Sequence, residues 1–184
     1  LNSGSNLSLD VNVGGSAGHV GAVLRHSSGG NTTVSADGSV DDGAWHHLAI
    51  STTSSAQVLY LDGVSIATGT VAFVDLFSTD SFTIGGVDGS GYSFGGAIAG
   101  VAVYSETKDA DFIYAQYAKG LFADWSADSG LVGYWKMGNG TGDEYPTIVD
   151  QSSNSNNGTI TNGASDDIVE NMVAGYDLGS YNTS

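Results

Sequence analysis

Gly43-Ala44-Trp45-His46-His47-Leu48-Ala49-Ile50-Ser51, followed by Val58-Leu59-Tyr60-Leu61-Asp62-Gly63-Val64, is the stretch from which the fold can be read. Leu48 and Ile50 lie two apart, the spacing that puts side chains on one face of a strand. Val58–Leu61 reads as a second strand and Val64–Ala67 as its return. The two residues between them, Asp62 and Gly63, both tolerate positive φ, which a two-residue hairpin turn demands. Asp41-Asp42-Gly43 marks the turn that leads in.

The same pattern extends outward. Leu7, Leu9, Val11 and Val13 alternate with Ser8, Asp10 and Asn12, predicting a half-buried strand. Val20–His26, Thr32–Ala36, Phe82–Gly86 and Gly95–Ser105 read as further strands. Toward the C-terminus follow Leu131–Met137, Thr147–Val149 and Gly158–Thr161. One helix is expected near Lys108–Ala118, with Thr107 or Ser105 as cap. Asp109 and Asp111 suit its positive end, Phe112, Ile113, Gln116 and Tyr117 form its stripe, and Lys119-Gly120 stops it. The fold class is therefore all-β with one short helix.

Composition narrows the function. The chain carries 4 Lys and Arg against 20 Asp and Glu, a net charge of −16. Such a surface repels nucleic-acid phosphates and anionic membranes. No apolar run approaches the roughly 20 residues that cross a bilayer, so neither nucleic-acid binding nor membrane insertion is expected. Only Glu106, Glu144 and Glu170 are glutamate; the other acids are aspartate, a turn former and a hard-oxygen ligand. The 28 glycines are dispersed without a period and cysteine is absent, so neither a collagen-like repeat nor disulfides shape the fold.

From Asp42 to Gly120 four signatures stand in order: Gly43–Ala49 around Trp45-His46-His47; Leu59-Tyr60-Leu61-Asp62-Gly63; Phe82-Thr83-Ile84-Gly85-Gly86; and Phe94–Ile98 continuing through Val101, Val103 and Tyr104. This stretch resembles the laminin G-like branch of the concanavalin A-like lectin/glucanase superfamily. The resemblance implies a jelly-roll of two antiparallel sheets. Acidic residues that often follow the isoleucine of the last signature are replaced by Ala99 and Gly100. A second segment, Leu131–Met137 with Asp150–Thr159, is similar to the opening of such a module. Residues 1–121 thus read as a sandwich whose front half precedes Leu1. Residues 122–184 read as a linker plus strands that complete this sandwich, pair with a neighbour, or begin a second module.

Glycosidase chemistry needs two carboxylates about 5 Å apart on retaining enzymes. No predicted strand carries acids at i and i+2 or i+4, and Asp109 and Asp111 serve a helix start. No enzymatic activity is expected; a glycoside hydrolase is a remote alternative. For metal, Asp150, Ser152, Asn154 and Asn156 place oxygen-bearing side chains at alternate positions before Gly158, with Asp143 and Glu144 nearby. Calcium, which takes about six to eight oxygens, is the cation such a loop would hold. The competing reading is an Asn/Ser turn held by side-chain-to-backbone bonds. For a sugar, Asp88, Ser90 and Tyr92 are the local candidates, against a plain glycine turn. Adjacent His46 and His47 point to opposite faces, one packed and the other, His46, free to meet a ligand. Trp45, Trp125 and Trp135 are assigned to packing. The expectation is an extracellular or virion-surface module for glycan or receptor adhesion, as in tail fibres and adhesins. The alternative is a structural subunit that decorates a capsid or builds a filament with copies of itself or within a larger parent assembly.

Overall fold

The computed structural model describes residues 6–11, 19–25, 31–37, 40–70, 82–86, 94–121 and 123–169. These residues form mostly short strands in antiparallel sheets with one α-helix. The elements are β1 (Asn6–Val11), β2 (His19–Arg25), β3 (Asn31–Asp37), β4 (Leu48–Thr52), β5 (Ala56–Leu61), β6 (Val64–Thr70), β7 (Val101–Tyr104), α1 (Ala110–Lys119), β8 (Leu131–Trp135), β9 (Thr147–Ile148) and β10 (Gly158–Thr159). They arrange as four sheets, β1-β2-β3, β4-β5-β6, β7-β8 and β9-β10, with no closure into a barrel. The chain divides into two compact units, residues 1–95 with 109–118, and residues 96–108 with 119–184.

In the first unit two three-stranded sheets enclose a core of Val20, Val34 and Leu59. Leu48, Ile50, Ile66, Ala67 and Val40 pack around it, so the face read from Leu48 and Ile50 is the buried one. Leu59 is fully buried, worth about 1.5–3 kcal/mol by area removed from water. The sheets meet closely where β3 crosses β6: a Cβ on Gly69 would collide with Val34 Cγ2, so only glycine lets them approach. The β5–β6 hairpin turns on Asp62 (φ 50°) and Gly63 (φ 76°), both left-handed, as a primed turn requires. Helix α1 lies over this turn. A Cβ on Gly63 would sit 3.1 Å from both Tyr114 and Tyr117, so the missing side chain is filled by tyrosine rings.

Several sequence expectations shift. The helix begins at Ala110, capped not by Thr107 or Ser105 but by Asp109, whose Oδ1 accepts the Phe112 amide at 2.9 Å. Asp109 sits three residues before that amide, which is the reach an N-cap carboxylate needs. Ile113 and Gln116 face inward, whereas Tyr117 is 42 % exposed. Gly120, at φ 85°, ends the helix as expected. Phe82–Gly86 bends at Gly85 (φ 82°) and forms no strand beyond a single bridge residue. The long apolar run from Gly95 becomes a strand only at Val101, because Gly100 takes φ 60° beneath the Trp125 ring.

In the second unit β8 pairs antiparallel with β7, from Val101↔Trp135 to Tyr104↔Leu131. Tyr134, Trp125, Trp135 and Ile148 are buried. Trp125 stacks on Tyr134 with ring centroids 5.3 Å apart, and the Tyr134 hydroxyl donates to the Ala123 carbonyl at 2.7 Å. The Trp135 ring lies over Gly133, where no side chain could fit.

Among the buried polar residues, Gln57 is the most completely enclosed. Gln57, on β5, is fully buried, and neither amide atom has a hydrogen-bond partner among the described residues. A buried amide without partners is costly. Gln57→Met keeps the volume and removes the polar atoms. It is expected to raise unfolding free energy by about 1–2 kcal/mol in urea denaturation; a loss of stability would show that the amide is satisfied.

Candidate functional site

The two histidines diverge as their adjacency requires. His46 is held between two carboxylates: its Nδ1 is 2.9 Å from Asp62 Oδ2 and its Nε2 is 3.1 Å from Asp42 Oδ1. The His47 amide donates to the other Asp62 oxygen at 2.9 Å, and Ala44 donates to Asp42. Asp62 thus turns the β5–β6 hairpin and anchors the strand beside it. Partial burial works against a charged imidazole at His46, but the hydrogen bonds and charges of Asp62 and Asp42 outweigh it and raise the pKa. His47 goes the other way: burial lowers its pKa, against a weaker opposing pull from Asp62. Its ring lies 6.2 Å from that of Tyr117. Expected as a ligand-facing residue, His46 has both ring nitrogens engaged in the chain's own bonds.

Asp150, Ser152, Asn154 and Asn156 come together, but around the chain. Asp150 is 5 % exposed. Its Oδ1 accepts the amides of Tyr134 (2.8 Å) and Ser152 (2.9 Å). Its Oδ2 accepts the Ser152 hydroxyl (2.8 Å) and the Asn156 amide (2.8 Å). Asn154 Nδ2 donates to the carbonyls of Leu131 and Val132, and Asn156 Nδ2 also to Val132. Burial alone would raise the Asp150 pKa; the amides of Tyr134, Ser152 and Asn156 and the Ser152 hydroxyl overcome it and lower the pKa. The loop is a clasp on β8 in which the Asp150 oxygens already accept four hydrogen bonds, and a calcium ion on that carboxylate would have to displace these donors. Among the described residues no group of three or more His, Asp or Glu side chains is placed to hold a metal.

Asp88, Ser90 and Tyr92, the sugar candidates of the sequence, lie outside the described residues. Within the second unit a cleft of about 290 Å³ is lined by Asp143, Glu144, Tyr145, Ser165 and Ile168. A tight turn builds it: Glu144 and Thr147 exchange backbone hydrogen bonds at 3.0 and 2.6 Å around Tyr145 and Pro146. Asp143 fixes the turn by accepting the amides of Gly138, Gly140 and Val149. Tyr145 is 41 % exposed, and its hydroxyl donates to Gly163 O at 2.9 Å, which fixes the ring's orientation. Glu144 is exposed, and its carboxylate has no hydrogen-bond or ion-pair partner among the described residues. A short 3-10 turn, Ser165–Asp167, closes the far side; Asp167 Oδ2 accepts the Ala164 amide there. The sequence shows this region as a polar loop. The one signal available was an aromatic beside the chain's single proline, since an aromatic in a polar turn has little core to enter.

Two outcomes follow from the clasps. Asp150→Ala orphans buried donors and is expected to cost roughly 3 kcal/mol in denaturant unfolding, equally with and without a chelator. If calcium organises the loop, a chelator acting on the wild type reproduces the loss. Because the folded Asp150 pKa lies below its unfolded value of about 4, its contribution is complete above that pH and disappears on acidification through the folded pKa. For His46 the sign reverses. Its raised pKa makes the clasp's stabilisation complete below about pH 6.5, and it fades as pH climbs past the folded pKa. The gap in Tm between wild type and His46→Gln should therefore be wider in mildly acidic than in alkaline buffer; a gap independent of pH would refute the ion-paired clasp.

A family model described as the concanavalin A-like lectin/glucanases superfamily matches residues 2–113. No curated protein matches the chain. Among solved structures, an S-layer domain-containing protein of Clostridium thermocellum (its residues 221–444) is similar at 18 % identity and a TM-score of 0.40. That likeness covers 63 % of this chain and 64 % of the other, so the chain spans just under two thirds of that solved segment. The family match takes in more than half of the chain, which belongs to the concanavalin A-like lectin/glucanases superfamily.

Proposed function

We propose that this chain is a non-catalytic module of a surface, extracellular or virion-borne, that binds a glycan. The observation that carries the reading is the cleft at Tyr145. A sugar ring has an apolar face of C–H groups and a rim of hydroxyls. It needs a rigid aromatic plane with hydrogen-bonding groups beside it. Tyr145 supplies an exposed ring whose hydroxyl is already anchored. The Glu144 carboxylate and the Ser165 hydroxyl are fellow lining groups able to meet sugar hydroxyls. Membership of a lectin-bearing superfamily agrees with it.

Catalysis is the weaker reading because the carboxylates near one another are already committed. Asp42 and Asp62 hold His46. Glu106 binds Lys108 and Ser129. Asp143 and Asp150 accept loop amides. A glycosidase needs a general acid and a partner carboxylate free to act on the same bond. The pairing of β8 with β7 inside one chain favours a self-contained binding module over a subunit completed by its neighbour. No helix among the described residues is long and apolar enough to cross a membrane.

A glycan array probed with the chain tests this. Retention of at least one glycan, lost in Tyr145→Ala while circular dichroism stays unchanged, is the expected result. No retention on any glycan, or retention indifferent to Tyr145, would remove the proposal. Sedimentation in the same buffer should give a mass that does not grow with concentration.

A further inference from the structure

We infer that the Tyr145 cleft selects saccharides bearing a protonated amine, with Glu144 as counter-charge and Tyr145 as stacking plane. This rests on the glycan-binding reading of the same cleft and names its ligand class. Among the described residues the cleft is lined by two carboxylates, Asp143 and Glu144, and by no basic side chain. The two acids differ in what they can offer. Asp143 is consumed by three backbone amides, whereas the exposed Glu144 carboxylate keeps its lone pairs for a ligand.

A lone carboxylate next to an aromatic face is an arrangement that suits a cation with an apolar body. The amine is drawn to the carboxylate and to the negative face of the ring, and the C–H face of the sugar covers the tyrosine. Among the described residues none of this unit's lysines lines the cleft, and two of them are engaged elsewhere. Lys108 lies 2.6 Å from Glu106 and over the Tyr104 ring, and Lys136 lies 3.8 Å from Asp124. An anionic glycan would meet the Glu144 carboxylate without a cation to offset it, on a chain of net charge −16. The same net charge raises the local concentration of cationic ligands, a long-range effect that salt screens.

The test compares chitosan tetrasaccharide, which carries free amines, with its fully N-acetylated counterpart and with a heparin oligosaccharide. Binding is measured by calorimetry on the full chain in mildly acidic buffer of low salt. The expected order is free amine over N-acetylated by about fivefold, with no heparin binding. Glu144→Gln, an exposed and nearly isosteric change, should abolish the preference, so that the free-amine and N-acetylated sugars bind alike. If chitosan binding is unmoved by Glu144→Gln, general attraction to the acidic surface explains it and the site assignment falls. Equal or tighter binding of the N-acetylated sugar, or of heparin, overturns the amine preference but leaves glycan binding standing. Binding of none of the three by folded protein removes both.

Discussion

Short strands leave a large share of the backbone in loops, and every loop amide withdrawn from water needs an acceptor. In this chain aspartate supplies it. Asp109 takes the Phe112 amide, Asp62 that of His47, Asp143 those of Gly138, Gly140 and Val149, and Asp150 those of Tyr134, Ser152 and Asn156. A carboxylate is the right group because it offers two oxygens and, when charged, bonds more strongly than a neutral acceptor. The strongly acidic composition is therefore more than a solvated surface: part of it is scaffolding for turns.

This division of labour separates acids that build from one left open to solvent. Asp143 and Glu144 are neighbours in sequence and line one cleft, yet they do opposite things. The shorter side chain of Asp143 reaches its own loop amides. The longer one of Glu144 leaves the turn and stays open to solvent. The candidate site follows from that difference, together with a tyrosine pinned at its hydroxyl rather than buried.

Packing and polarity are balanced differently in the two compact units. In the first, aliphatic residues from facing sheets form the core, and the buried amides of Gln57 and Gln116 interrupt the apolar interior. In the second, Trp125, Tyr134 and Trp135 fill the interior, with the Tyr134 hydroxyl and the Trp135 N–H reaching the carbonyls of Ala123 and Asn156. Aromatic rings let a unit with only short strands bury enough surface.

Period-two alternation and turn chemistry were sufficient to foresee most strands, the Asp62-Gly63 hairpin and the stop at Gly120, because these depend on local sterics and on which residues tolerate positive φ. The superfamily was legible from four short signatures for the same reason: they are turns and strand faces. Tertiary structure alone decided where extended runs break, at Gly85 and Gly100, and which residue caps the helix. It also decided what the acids do. The alternating oxygens of Asp150 to Asn156 suit a cation or a backbone clasp equally well on paper. The bonds they make to β8 depend on a strand many residues away, and no local pattern encodes that distance. Likewise the aromatic beside Pro146 hints at an exposed ring but not at a cleft, since the far wall, Ser165 and Ile168, arrives only when the chain folds back.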